Sequence, residues 1–214
     1  MASRLKVGVD VPWVTSWTSE ALLGVGPCAT VDGRLAIGQA ERPGEGKPQY
    51  SRNHLRRQRD SVRRMLCPMC GEPTAPGDRW HQTGKLMAVG ALRARGLGAV
   101  TPADLPDAQI VLNAGAISPS HKACAERALE HCPHLGADPD PTIRPFPARW
   151  AVFPLTVEAQ APGGALLAAP RPPISVISFL QLVGVTDGMQ RDWRQRLKAE
   201  TGPSRSSAGR VRTG

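Results

Sequence analysis

Apolar and polar positions alternate near the start of the chain. Leu5, Val7, Val9 and Val11 are separated by polar or small residues, the period of a half-buried strand. A second β signal runs Cys28-Ala-Thr-Val31, Asp32-Gly33, Arg34-Leu-Ala-Ile37. Asp-Gly between two short apolar runs predicts a hairpin with a type I′ turn, whose central residues both need positive φ. Residues 42–50, Arg-Pro-Gly-Glu-Gly-Lys-Pro-Gln-Tyr, are loop by composition.

The period then becomes helical. Asn53 is the expected cap of a helix from about His54 to Leu66. At about 100° per residue, Leu55, Val62 and Leu66 share a narrow apolar stripe, and Arg52, Arg56, Arg59 and Arg63 line up beside it. Such a helix docks by one edge and shows a row of guanidinium groups on the next. Ser118-Pro119 is a cap followed by proline at the first helical position. The helix it starts runs through Ala123, Ala125, Ala128 and Leu129 and stops before Pro133. Two C-terminal helices are expected, one from Pro172-Pro173 to near Gly184, the other capped by Asp187 with Met189, Trp193 and Leu197 on one face.

These elements divide the chain into an N-terminal β segment (1–50), a central domain (51–135) and a proline-rich linker (136–148). A C-terminal α/β segment (149–202) and a disordered basic tail (203–214) complete it. The linker carries Pro139, Pro141, Pro145 and Pro147. The fold class is α+β. Its size fits one ordinary domain with appendages.

Charge sharpens the picture. The net is +9, but residues 52–66 and 190–214 each carry a local +5, which leaves the rest near neutral. The basicity is two local features on a neutral body. In the first, six arginines (Arg52, Arg56, Arg57, Arg59, Arg63, Arg64) face one acid, Asp60. They are the candidate nucleic-acid-binding residues. No secretory signal is expected at the N-terminus. The longest uncharged apolar stretch, Pro172 to Thr186, falls short of the ~20 residues of a membrane helix. A cytoplasmic location follows as an expectation.

Five cysteines, Cys28, Cys67, Cys70, Cys124 and Cys132, an odd number without a signal peptide, argue for reduced thiols over a disulfide framework. Cys67-Pro-Met-Cys70-Gly71 is half of a metal site: the C-x-x-C turn lets two thiolates converge on one ion. A thioredoxin-like use would need a strand before the motif and a helix after it, and a helix precedes this one. The second half is sought at His121-Lys-Ala-Cys124, where positions i and i+3 share a helix face in the first turn. Cys67, Cys70, His121 and Cys124 would form a closed tetrahedral set for one structural zinc ion. Cys132 and His134 compete for the second pair; Cys28 reads as an ordinary strand residue.

The order knuckle, hairpin, helix with ligands in its first turn resembles a treble-clef zinc finger. Arg-Arg-Gln-Arg at 56–59, Leu66-Cys67-Pro-Met-Cys70-Gly71, His121-Lys-Ala-Cys124-Ala125-Glu126 and Cys132-Pro133-His134-Leu135 resemble more specifically a group of uncharacterised actinobacterial and actinophage proteins. That group pairs a C-x-x-C-G knuckle with a C-x-x-C-A helix ending in C-P-x-L. The resemblance covers about residues 47–136, and less securely a part around Phe179 to Val183; His121 stands where the group usually has cysteine. It implies the metal site and a treble-clef-like core, without an established activity.

Three functions are compatible with these residues. The first is a non-enzymatic zinc module contacting nucleic acid through the arginine-rich helix, as a phage or actinobacterial accessory protein. The second is a protein–protein adaptor on the same zinc core. The third is an HNH-type nuclease, with His81 activating water and Asn113 orienting it. Against the nuclease, 31 residues separate His81 from Asn113, Trp80 stands where an Asp or His is expected, and Ala125 follows Cys124. The tryptophans (Trp13, Trp17, Trp80, Trp150, Trp193) are scattered, as core anchors are.

Overall fold

A computed structural model of the chain describes residues 2–98, 101, 103–132, 135, 142–159 and 174–186. The fold is mixed α+β. Its strands and helices are β1 (Thr15–Trp17), β2 (Leu22–Pro27), β3 (Leu35–Gln39), β4 (Pro48–Asn53), α1 (Leu55–Arg64), β5 (Trp80–His81), β6 (Lys85–Ala88), α2 (Val89–Leu92), β7 (Ile110–Gly115), α3 (Lys122–His131), β8 (Arg144–Pro145), β9 (Arg149–Ala159) and β10 (Ile174–Val185).

β10 is the hub of a six-stranded sheet. β9 lies antiparallel along one edge of it, from Ile174↔Ala159 to Val185↔Arg149. Its other edge is shared. β3 pairs in parallel at Ile177↔Ala36, and β7 antiparallel from Leu182↔Gly115 to Val185↔Val111. β2 and β6 close the outer edges. This sheet takes strands from the 1–50, 51–135 and 149–202 segments alike.

The helix expected over 174–184 is therefore a strand. Ile174, Val176, Ile177, Val183 and Val185 are β-branched, which favours extended backbone. A central strand covered on both faces shows no polar alternation. Alternate residues of the hub feed two cores. Ile177, Leu180 and Leu182 pack with Val62 and Met65 beside α1, whereas Val183 and Val185 pack with Val89 and Leu92 of α2.

Between Ile177 and Leu182 neither β3 nor β7 covers β10. α1 fills this gap with polar side chains. Gln58 donates to the carbonyls of Leu180 (2.7 Å) and Ala116 (2.9 Å) and accepts from the Leu180 amide (3.0 Å). Arg59 donates to the carbonyls of Ser178 (2.8 Å) on β10 and Ile37 (3.0 Å) on β3. The helix thus supplies the hydrogen bonds that a neighbouring strand would have made.

Other expectations shift locally. Residues 5–11 form a tight turn, not a strand: the Lys6 carbonyl accepts from the amides of Val9, Asp10 and Val11, with Gly8 at φ 81°. The expected hairpin exists as β2–β3, but the Cys28–Val31 run is its connection. It holds a short 3-10 turn at Ala29–Val31 before Asp32 and Gly33, both at positive φ. Asn53 ends β4 opposite Thr15, so the cap of α1 is His54, whose Nδ1 accepts from the Arg57 amide at 3.3 Å. The described part of the expected linker is packed: β8 pairs with β5, and Phe146 enters the core. The Asp187 helix, the basic tail and residues 136–141 lie outside the described residues.

Candidate metal centre

The first ligand pair follows directly from the end of α1. Met65 adopts the left-handed conformation that stops the helix, at φ 51°. The chain then folds back, with Gly71 N donating to Cys67 O and Cys67 N to Glu72 O, both at 2.8 Å. Gly71 turns at φ 85°, and a side chain there would strike the Trp13 ring at 2.8 Å. Residues 13 and 14 buttress the knuckle through amide bonds from Trp13 to Met69 O and from Val14 to Pro68 O. The second pair sits at the start of α3, with His121 as its cap residue and Cys124 in its first turn. Asp78 secures this end by accepting from the Lys122 amide at 2.8 Å.

The fold brings together all four residues expected from the spacing. The ligand atoms of Cys67, Cys70, His121 and Cys124 lie within 4.8 Å of one another. Sulfurs around one tetrahedral ion sit about 3.8 Å apart, given bonds of about 2.3 Å, so the cluster can hold one metal ion. His121 Nε2 faces the Pro73 carbonyl at 3.1 Å, and its Nδ1 lies 3.5 Å from Cys70 Sγ. Nε2–H thus donates to the carbonyl, which leaves the Nδ1 lone pair for the metal and fixes the ring.

The electrostatics match. Burial raises the Cys67 thiol, but backbone amides of Cys70, His121 and Met69 donating to its sulfur outweigh it and hold the thiol below its ordinary value. Burial and the neighbouring sulfurs of Cys67 and Cys70 push the Cys124 thiol up to about 12. Three thiolates crowd together only around a compensating cation.

The competing ligands stand apart. Cys132 is the C-cap of α3 and lines a separate cavity of about 240 Å³. His131 is exposed beside Glu130, and His134 lies outside the described residues. Of the candidate nuclease pair, Asn113 is engaged by its neighbours, and His81 is half-buried with its Nδ1 without a hydrogen-bond partner. Asn113 Oδ1 is taken by the Gly115 amide (3.0 Å) and by Gln181 (2.9 Å). His81 packs edge-on to Phe146, and burial, then the Arg144 charge, lowers its pKa to about 4.

The six arginines are not one exposed row. Arg52 belongs to β4 and is exposed, as is Arg64 at the end of α1. Arg56 pairs with Glu41 at 2.9 Å and Arg63 with Asp32, both at the surface. Arg57 and Arg59 are buried, at 2% and 1% exposure. Arg57 makes a two-pronged bond to Glu20, at 2.7 and 2.9 Å, and donates to Thr15 O. Glu20 also accepts from the amides of Trp17 and Arg42. Burial raises its carboxyl, but Arg57 and the Trp17 amide hold it below the usual range. Sequence reasoning passed over Glu20, although it is the single charged residue between Asp10 and Asp32. An isolated acid in so apolar a stretch is a signal for a buried pair.

Comparison with protein-family models, curated proteins and solved structures gives no match to this chain.

Proposed function

We propose that this chain is a non-enzymatic module built around one structural zinc ion, and that it works by docking a partner protein. The observation that carries the reading is the closed ligand set. Three thiolates and an imidazole fill the four positions that zinc takes and leave none for water or substrate. A sulfur-rich set also selects zinc over hard cations. The knuckle, the β6–β7 pair and α3 follow the order of a treble clef, with residues 89–109 inserted between the two strands. The engagement of Asn113 and the lowered basicity of His81 support a non-catalytic role. For the partner, the edge strand β2 exposes Leu22 at 66% and Leu23 at 70%, and such an edge invites a covering chain.

A second reading, contact with nucleic acid, rests on Arg52, Arg56, Arg63 and Arg64, which remain at the surface. If these four neutralised duplex phosphates, log K would fall against log salt with a slope near −3.6. The arginines sent inside make that reading the weaker one.

Protein purified without added metal is to be analysed by elemental mass spectrometry. One zinc per chain is expected, lost in the Cys67→Ser/Cys124→Ser double variant. Full zinc occupancy in that variant refutes the site. A nucleic-acid retention assay on the same sample decides the partner: a slope near zero favours the protein, and a slope near −3.6 the nucleic acid.

A further inference from the structure

Arg59 presents an electrostatic problem that the metal centre does not touch. Its guanidinium is buried at 1% exposure, and no carboxylate lies within ion-pair distance of it among the described residues. A buried cation needs a counter-charge. The ionisable group that it touches is Cys28: Arg59 Nη2 lies 3.7 Å from the sulfur. Arg59 Nε donates to the Thr30 hydroxyl oxygen at 3.0 Å, and that hydroxyl lies 3.1 Å from the same sulfur. With its oxygen engaged by the guanidinium, Thr30 turns its hydrogen to the sulfur. Burial raises the thiol, but the Thr30 hydroxyl and amide, then the Arg59 charge, outweigh it and hold Cys28 below the ordinary thiol value.

Cys28 sits between the core and the surface, packed against the buried cluster around Val62. Half-buried Cys28 lines a groove of about 370 Å³ whose walls include Gly24, Gly26 and Gly38, with Arg56 and Arg59 also lining it. The glycines on its walls carry no side chains to fill it. The charged groups on the surrounding elements are Arg56 (with Glu41), Asp60 and Arg63 on α1, and Asp32, bound to Arg63, and Arg34 in the turn, where the Arg34 carbonyl accepts from the Cys28 amide.

We propose that Cys28 is a modification site, a thiolate held by Arg59 and Thr30 in a groove that admits small disulfides. In the reaction the Cys28 sulfur attacks one sulfur of the disulfide along the S–S axis. A new S–S bond forms to Cys28, the old one breaks, and its electron pair leaves with the released thiolate. No other oxidant or reductant is required. The adduct removes the counter-charge of Arg59 and fills the groove between β2 and α1.

The test uses the full metal-loaded chain and 5,5′-dithiobis(2-nitrobenzoate), a small disulfide. Adducts are assigned to cysteines by peptide mass spectrometry, and N-acetylcysteine is the reference thiol. Cys28 is expected to react several-fold faster than the reference at pH 6, and its rate to fall by a smaller factor than the reference's from pH 8 to pH 6. An unperturbed thiol falls roughly seventyfold over that range. Cys28→Ser should abolish the fast phase, and Thr30→Val, similar in shape but without the hydroxyl, should slow it several-fold. A fast phase assigned to another cysteine, or a Cys28 rate that tracks the reference across pH, overturns the proposal. These two readouts need only the wild-type chain.

Discussion

α1 and α3 are each ten residues long, yet they are anchored by opposite means. α1 buries six residues, four of them polar or charged, and its Gln58 and Arg59 bond directly to the backbone of the sheet. α3 buries one, Ala125. What ties α3 down is mainly its first turn, with His121 and Cys124 in the ligand cluster and the Lys122 amide on Asp78, helped by Gln82 on the Ala125 carbonyl and Arg127 on the Gly8 carbonyl. A helix with an apolar stripe that narrow gains little from burial alone. α1 is held by the chain's own polar groups, whereas two of the four residues that could hold a metal ion lie at the start of α3. Polar residues on a helix therefore do not by themselves mark a surface, and an alanine-rich helix does not by itself mark a core.

The harshest test of this contrast is loss of the metal. Ion binding at a site absent from the unfolded chain contributes on the order of 10 kcal/mol to folding. Cys67→Ser should lose the ion, and hydrogen exchange should show α3 and residues 67–74 losing protection before α1 and β10. Equal loss across both helices would break the contrast.

Next in size is the buried pair that holds α1. Glu20→Ala leaves the Arg57 guanidinium uncompensated in the interior, which costs about 3–5 kcal/mol. Urea unfolding of the metal-loaded variant should show that drop, with zinc content unchanged at the start. A cost below about 1 kcal/mol would mean that the pair is not what fixes the helix.

The pH dependence adds a third test. His81 has a folded pKa of about 4, lowered by burial and then by Arg144, against about 6.5 in the unfolded chain. The unfolded state takes up the proton first. Stability is therefore fully present above pH 6.5 and is lost as pH falls from 6.5 to 4, by about 3 kcal/mol for this group. His81→Phe, which keeps a ring against Phe146, should lose less stability than wild type between pH 7 and pH 4.5. Parallel curves would exclude His81 as the source.

These differences explain what the sequence made legible. The metal centre stood out because each half is a local spacing, Cys67 with Cys70 and His121 with Cys124, and local spacing fixes which side chains share a face. β3 and α1 were legible for the same reason; the strand expected at 28–31 is instead the turn that leads into β3. The fate of the arginines was not. Glu20 lies 37 residues from Arg57, and the Ser178 carbonyl 119 from Arg59, so burial was decided by chain topology. β10 was misread because a strand covered on both faces loses the alternation that identifies strands. Cys28 passed as an ordinary residue because its partner, Arg59, was assigned to the surface.

The smallest effect divides α1 itself. Arg56 and Arg57 are adjacent in sequence, and each meets a glutamate at 2.7 to 2.9 Å. Their surroundings differ: the Arg56–Glu41 side chains are 53% and 41% exposed, those of Arg57 and Glu20 3% and 0%. In water the attraction is screened and holding two long side chains costs entropy, so exposed pairs contribute about 0–1 kcal/mol. Arg56→Ala should accordingly change stability by less than about 1 kcal/mol, and the Arg56/Glu41 double-mutant coupling should shrink further as salt is raised. Arg57→Ala strands Glu20 without its guanidinium and should cost several times more, with little salt dependence. Similar costs for the two arginines would mean that burial does not set the strength of these pairs, and the division of the helix into a structural and a surface face would fail.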